Sequence, residues 1–275
     1  MPTEIVTKKK EKLITRLKAL QSVAVAFSGG VDSAFLAIIA RQVLGDRMVA
    51  LKAVSPMHSG REHRAALQFA KTFDLPLSVI TTDELGVAGI VANPAERCYH
   101  CKQYLMGLMA DQAAEMGFAH IAHGANLDDL DDYRPGFKAA KELDIKAPLI
   151  DAGLTKAEIR RLSRDMGLPT WNRPSMACLA SRIPYGTPLT KSTLEKVAQA
   201  EDHLYELGLT ACRVRHHGNL ARIEVDPVEF ATLLPGPARE GLVARLKALG
   251  YDHICLDLEG YVQGSMNRAL AKQAT

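Results

Sequence analysis

Residues 23–44 leave little freedom about the fold. VAVAF at 23–27 is a short continuous apolar run, SGGVDS follows at 28–33, and a helical stretch runs from about 33 to 44. An unbroken apolar run of that length reads as a parallel strand buried on both faces. The alternation then repeats. MVALKAV at 48–54 and PLSVITT at 76–82 read as strands, with a helix near 60–73 between them. A helix from about 98 to 116 leads into the strand-like AHIAHGA at 119–125. Strand alternating with helix predicts an α/β fold, a doubly wound parallel sheet that takes ligands at the carboxyl ends of its strands. A basic amphipathic helix, with Leu13, Leu17 and Leu20 at helical spacing, comes before it.

The period is lost from about 168 to 188. The stretch LPTWNRPSMACLASRIPYGTPLT carries four prolines and one glycine, and reads as a long functional loop or a domain linker. Beyond it, Leu194, Val197, Leu204 and Leu207 mark a helix. Two alternating strands, ACRVRHH at 211–217 and ARIEVD at 221–226, are joined by Gly218-Asn219, an acceptable tight hairpin turn. Helices near 227–234 and 237–249 precede a last strand, HICLDL. The expected division is a large domain over 1–182 and a smaller α+β domain over 183–275, near the size at which a domain holds its own core.

Composition narrows the function classes. The 275 residues are 47% hydrophobic and 24% charged, which excludes collagen-like and disordered chains. Lys+Arg total 34 against 31 Asp+Glu, and a balance of +3 is too even to argue for nucleic acid on charge alone, so no nucleic-acid partner is expected. The longest apolar run, AFLAIIA at 34–40, falls far short of the roughly 20 residues that cross a bilayer. The amino-terminal lysines precede no apolar core with a cleavage site, so neither a membrane partner nor an export signal is expected. Five cysteines in such a chain suggest metal or redox chemistry rather than a disulfide scaffold, and a cytoplasmic location is expected.

SGGVDS is the strongest local signal. Gly29 and Gly30 let the backbone turn tightly and approach a ligand without a Cβ clash. Ser28, Ser33 and the N–H groups at the helix start then make an anion pocket, aided by the helix dipole. Asp32 in that pocket repels phosphate unless a divalent cation lies between them, so it reads as a magnesium ligand. A glycine turn with Asp and Ser as helix caps accounts for a bare SGG. The full hexapeptide behind a first strand points to phosphate binding, although it holds no lysine for a terminal phosphate.

RCYHCK places Cys98 and Cys101 at a helix start, a pattern shared by zinc half-sites, redox pairs and cluster ligands. Cys178 lies in SMACLASR. A structural zinc would take its fourth ligand from Cys212, Cys255 or His100, but Cys212 and Cys255 lie in apolar-alternating strands and are expected in the core. Three thiols remain. Three thiolates on a four-iron cluster leave one iron open to an exchangeable sulfur. In HGANLDDLDDYRPGFKAA at 123–140, the aspartates 128, 129, 131 and 132 read as a solvated, helix-capping loop. Beside the phosphate turn, Asn126, Asp128 and Arg134 would instead line a nucleotide pocket. In the hairpin, period two sets Arg213, Arg215 and His217 on one face and Cys212 and Val214 on the other, with Arg222 and Glu224 polar in the partner strand. That face is either a solvated sheet surface or a guanidinium cluster for phosphate or carboxylate.

SGGVDS resembles the PP-loop of ATP pyrophosphatases, which split ATP between its α and β phosphates to adenylate a substrate. Together with NPAERCYHCK, HGANLDD…DYRPG, the stretch from TKAEIRRLSRDMGLPTW to IPYGTP, and RVRHHGNLARIEV, it makes nearly the whole chain similar to the LarE family. These are the ATP-dependent sulfur insertases that build the nickel-pincer nucleotide cofactor. The resemblance implies a PP-loop ATP pyrophosphatase fold and a defined reaction. A carboxylate of pyridinium-3,5-biscarboxylic acid mononucleotide is adenylated with release of pyrophosphate, and sulfur then replaces AMP to give a thiocarboxylate. The chemistry requires that order, since a carboxylate is a poor acyl donor until AMP becomes its leaving group.

The implied cofactors are ATP and Mg2+, in a pocket of Ser28, Gly29, Gly30, Val31, Asp32, Ser33, Ala53, Arg97, Gly124, Asn126, Asp128 and Arg134. The implied substrate residues are Ser181, Arg182, Arg213 and Arg215, with no firm role for Glu201 or Glu224. Cys178 matches the position that donates its own sulfur in members with a single site cysteine, ending as dehydroalanine. Here Cys98 and Cys101 accompany it, which resembles the three-cysteine branch, whose thiols hold a [4Fe-4S] cluster with a removable sulfide from an unspecified source. A homo-oligomer with a small-molecule nucleotide substrate is implied. A tRNA thiolase would need a basic face or an RNA-binding module, a GMP or NAD synthetase gives the three thiols no role, and a nucleotide or cluster sensor would keep the pocket without turnover.

Overall fold

A computed structural model describes residues 2–130, 136–174 and 177–262. The chain forms two compact units, each discontinuous in sequence. The first comprises Met1–Ser55, Glu62–Glu84 and Glu96–Met176; the second comprises Pro56–Arg61, Leu85–Ala95 and Ala177–Thr275, where the sequence reading has a single division at 182/183.

The chain opens with α1 (Pro2–Leu20), β1 (Val23–Ala26), α2 (Val31–Leu44), β2 (Met48–Val54), α3 (Gly60–Thr72) and β3 (Leu77–Thr81). After the short α4 (Ala88–Val91) come α5 (Arg97–Glu115), β4 (Ile121–His123), α6 (Gly136–Glu142), α7 (Pro148–Asp151) and α8 (Lys156–Asp165). The first unit's sheet is parallel, in the order β3-β2-β1-β4. The pleat of its strands sorts side chains to two layers. Val23, Val25, Met48 and Ala50 pack with α1, α2, α3 and α8, whereas Ala24, Val49 and Leu51 pack with α5 and α6. A sheet covered on both faces favours apolar residues throughout, which is why β1 reads as an unbroken run and β2 as a run broken only by Lys52. Strand order reverses at β1, so the crevice for a ligand opens at the carboxyl ends of β1 and β4.

In the second unit α9 (Lys191–Glu206) covers one face of a sheet made of β5 (Cys212–His217), β6 (Leu220–Val225) and, after α10 (Phe230–Leu233) and α11 (Gly236–Ala248), β7 (His253–Leu256). β5 and β6 form the expected hairpin, with Gly218 at φ 67° in the turn; β7 joins β6 in parallel. Cys212, Val214, Ala221, Ile223 and Val225 face α9 and α11 in the core.

Candidate active site

The hexapeptide sits where the switch point predicts, but the helix begins inside it. α2 starts at Val31, with Gly30 at its N-cap and no side chain capping it. The turn is tied by its own hydroxyls: Ser28 Oγ lies 3.0 Å from Ser33 Oγ and accepts from Gly30 N–H at 3.2 Å, while Ser33 Oγ accepts from Ser28 N–H at 3.2 Å. Gly29 has φ 86°, and a Cβ there would come 2.8 Å from Ala66 Cβ. Gly124, just past β4, is pressed against the same helix start. A Cβ at Gly124 would lie 2.8 Å from Ser33 N and 3.1 Å from Asp32 C. Glycine at 124 thus lets β4 end against the first turn of α2, and the strand is correspondingly shorter than the 119–125 expected.

Three cations that sequence reasoning missed converge on this turn. Lys156, the first residue of α8, pairs with Asp32 Oδ2. Lys52 of β2, 4% exposed, donates to the Ser28 carbonyl at 3.4 Å, and Arg173 donates to the Gly29 carbonyl at 3.0 Å. Burial pushes the Lys52 ammonium below its ordinary value, against the nearby Glu62 carboxylate. Cations from other elements thus stand at a turn that has no lysine of its own. The only sequence cue to Lys156 was the helix start itself, a Thr155-x-x-Glu158 capping box, with Glu158 N–H donating to Thr155 Oγ1 at 3.3 Å and Thr155 N–H to Glu158 Oε2 at 2.9 Å.

Asp32 is held in tension. Burial, the largest influence, pushes its carboxyl above the ordinary 3.8, Lys156 pulls it down and Asp129 pushes it up. Its Oδ1 is buried and has no hydrogen-bond partner among the described residues. An orphaned carboxylate oxygen beside an anion cradle fits a hard divalent cation such as Mg2+.

The other expected nucleotide residues differ in burial and in their partners. Ala53 is half-buried near the carboxyl end of β2, and Arg97, at the start of α5, is 1% exposed. Asn126 is buried and its Oδ1 accepts from Asp128 N–H at 3.1 Å; Asp128 Oδ2 accepts from Lys156 N–H at 2.9 Å. Asp128 thus ties the 126–130 loop to α8, the capping role the aspartate-rich stretch suggested. Arg134, with Asp131 and Asp132, lies outside the described residues.

Cys98 is exposed and Cys101 half-buried on the first turns of α5, three residues apart and so on one helix face. In the second unit half-buried Cys178 precedes a 3-10 turn, Leu179–Arg182. No cysteine forms a disulfide. Among the described residues no three His, Cys, Asp or Glu side chains are gathered as a metal site. Cys212 is in the core as expected, its thiol pushed up to about 12 by burial. Cys255 is not: it is exposed. β7 is an edge strand in which Ile254 and Leu256 take the core face, and Cys255 shares the outer face with its register partner Arg222.

Arg182, Arg213 and Arg215 are buried rather than on a solvated face. Arg215 and Glu224 are buried and doubly bonded, Nε to Oε1 at 2.9 Å and Nη2 to Oε2 at 2.7 Å, and Arg215 Nη1 donates to the Ser181 carbonyl at 2.8 Å. Arg182 and Glu201 form a second buried fork at 2.8 and 2.9 Å. Arg182 Nη1 also reaches the carbonyls of Ala177 at 2.7 Å and Cys178 at 3.1 Å, and Ser181 Oγ at 2.9 Å. Arg213 lies over the Tyr261 ring at 4.9 Å.

The strand, the glycine turn and the uncapped helix at the switch point define a PP-loop nucleotide-binding domain, and the NAD synthase family matches residues 5–94. Across the chain, an uncharacterized Synechocystis protein is 39% identical over 92% of this chain and 94% of its own. The pyridinium-3,5-bisthiocarboxylic acid mononucleotide synthase of Lactiplantibacillus plantarum is 36% identical over 96% of this chain and 95% of its own. An uncharacterized Methanocaldococcus jannaschii protein is 28% identical over 88% of this chain and 91% of its own. The chain belongs to the LarE family of ATP-utilising PP-loop enzymes. No helix among the described residues is long and apolar enough to cross a membrane.

Proposed function

We propose that the chain is an ATP-dependent sulfurtransferase that adenylates a carboxylate of pyridinium-3,5-biscarboxylic acid mononucleotide and converts it to a thiocarboxylate. One observation carries the ATP half: the uncapped start of α2 stands beside a buried Asp32 oxygen with no hydrogen-bond partner among the described residues, at the switch point of the sheet. The substrate rests on the 36% identity with the L. plantarum synthase.

In this reading the N–H groups of Val31, Asp32 and Ser33 and the Ser28 and Ser33 hydroxyls hold phosphate oxygens. Lys156 trades Asp32 for phosphate when ATP arrives, and Lys52 and Arg173 keep the turn positive. Asp32 Oδ1 would hold Mg2+, which when bound offsets charge on the departing pyrophosphate. The substrate carboxylate attacks the α phosphorus, the bond to the β-phosphate bridge breaks, and pyrophosphate leaves. Sulfur then bonds to the acyl carbon as the bond to AMP breaks. Arg213 and Arg215 supply positive charge for the substrate phosphate, joined by Ser181 and Arg182, which follow Cys178 closely in sequence. Cys98, Cys101 and Cys178 would hold a [4Fe-4S] cluster, which supplies an open iron for exchangeable sulfide. Thiolates are the right donors for it, and their gathering is part of the proposal. A cytoplasmic homo-oligomer completes the reading.

Pyrophosphate release from ATP tests it, with the pyridinium mononucleotide against tRNA and no acceptor. Stimulation by the pyridinium compound alone is expected; stimulation by tRNA alone overturns the assignment. Iron and acid-labile sulfide in anaerobic protein, both depleted by Ser at any one of the three positions, are expected. An iron-free preparation giving one product per chain and dehydroalanine at 178 would instead make Cys178 the donor.

A further inference from the structure

We infer that Asn93 is a positioning residue for Cys178, a clamp on the segment of chain that carries it; the inference rests on the sulfur-transfer role proposed above. Asn93 is wholly buried, at 0% exposure, and has φ 55°, a left-handed conformation that asparagine tolerates better than most residues with a side chain. Its Nδ2 donates to the Pro184 carbonyl at 2.8 Å, the Thr187 carbonyl at 3.0 Å and the Ile183 carbonyl at 3.4 Å. Its own carbonyl accepts from Gly186 N–H at 2.9 Å, and the Val91 carbonyl accepts from Leu189 N–H at 2.8 Å.

The loop needs such a donor. Within the stretch Thr187 N–H reaches the Pro184 carbonyl at 3.1 Å, but Pro184 and Pro188 have no N–H, which leaves the stretch short of backbone donors for the rest. The segment is consequently held by side chains on either side of residue 182. Arg182 and Arg215 bond the carbonyls of 177, 178 and 181, and Asn93 bonds those of 183, 184 and 187. The first anchors fix Cys178 directly; Asn93 fixes the far end, so that the 3-10 turn between them cannot slide. Asparagine meets two demands at once, a left-handed backbone and a two-hydrogen donor, and no other residue type offers both at that side-chain length.

The test compares wild type with Asn93→Gly, which keeps the backbone conformation and removes the donor, and Asn93→Ser, which keeps a single donor. Iodoacetamide labelling of Cys178 in iron-free protein, followed by peptide mass spectrometry, reads the order of the loop without any turnover. The expected result is labelling about tenfold faster in Asn93→Gly, with Asn93→Ser between it and wild type. Thiocarboxylate formation falls by a similar factor while pyrophosphate release stays within about twofold, because the carbonyls that Asn93 bonds belong to 183–187, the segment that follows Cys178. Unchanged labelling in both variants overturns the inference. So does an equal fall in pyrophosphate release and thiocarboxylate, which would make Asn93 a residue of the general fold. If wild type forms no thiocarboxylate at all, the proposed function fails, while the labelling comparison still decides the clamp.

Discussion

At Asp32 one carboxylate oxygen holds Lys156 and the other, buried, has no hydrogen-bond partner among the described residues. A carboxyl whose folded-state value is raised contributes stability that is full below its unfolded value, 3.8 here, and lost as pH rises through the folded one. At neutral pH the ionised Asp32 is thus a cost to the fold, retained for what its free oxygen does. Asp32→Asn is expected to match or exceed the wild-type Tm at about pH 7, with the difference closing as the pH falls toward the unfolded carboxyl range. Pyrophosphate release in the same variant should drop by about 100-fold or more. A lower Tm with intact release would make Asp32 structural. Arg215 lies at the opposite extreme, with each of its three nitrogens donating to Glu224 or the Ser181 carbonyl. Arg215→Ala leaves a buried carboxylate without its fork and should cost about 3–5 kcal/mol in chemical denaturation. A cost under about 1 kcal/mol would mean Glu224 is rehydrated and the arginine serves only a ligand. That commitment was not legible in the sequence: alternation puts Arg213 and Arg215 on one face, but only the register of β5 against β6, Arg213 to Glu224 and Arg215 to Arg222, brings the carboxylate between guanidinium groups.

Among the elements, the strand–turn–helix at 23–44 was legible because each local preference agrees with the buried position of β1, and the hairpin was legible through its alternation and its glycine turn. The contact between β4 and α2 was not, because a glycine that permits close approach looks in sequence like any turn glycine. Gly124→Ala tests that contact. The added Cβ meets backbone atoms that cannot rotate away, so a loss of about 1–3 kcal/mol in denaturant unfolding is expected, with a matching loss of ATP-dependent pyrophosphate release. Wild-type stability and activity would mean that the end of β4 moves freely from the helix start. β7 misled in another way. Its apolar alternation is real, but an edge strand with one covered face leaves every second residue outside, and Cys255 is one of those.

At the scale of the molecule, a parallel α/β unit and a smaller α+β unit follow from the order of strands and helices. What chain order conceals is that Pro56–Arg61 and Leu85–Ala95 belong with the later unit. Asn93 shows why: its partners are 90 to 94 residues away, and nothing local marks a buried amide as their donor. The central claim is that this chain turns a carboxylate into a thiocarboxylate by way of an acyl-adenylate. Mass spectrometry of an anaerobic reaction with ATP, Mg2+, supplied sulfide and pyridinium-3,5-biscarboxylic acid mononucleotide tests it most directly. The account predicts a product in which one carboxylate oxygen is replaced by sulfur, formed in step with equal amounts of AMP and pyrophosphate and abolished by Asp32→Asn. AMP and pyrophosphate released with the substrate recovered sulfur-free, both from wild-type protein with intact thiols, would contradict it.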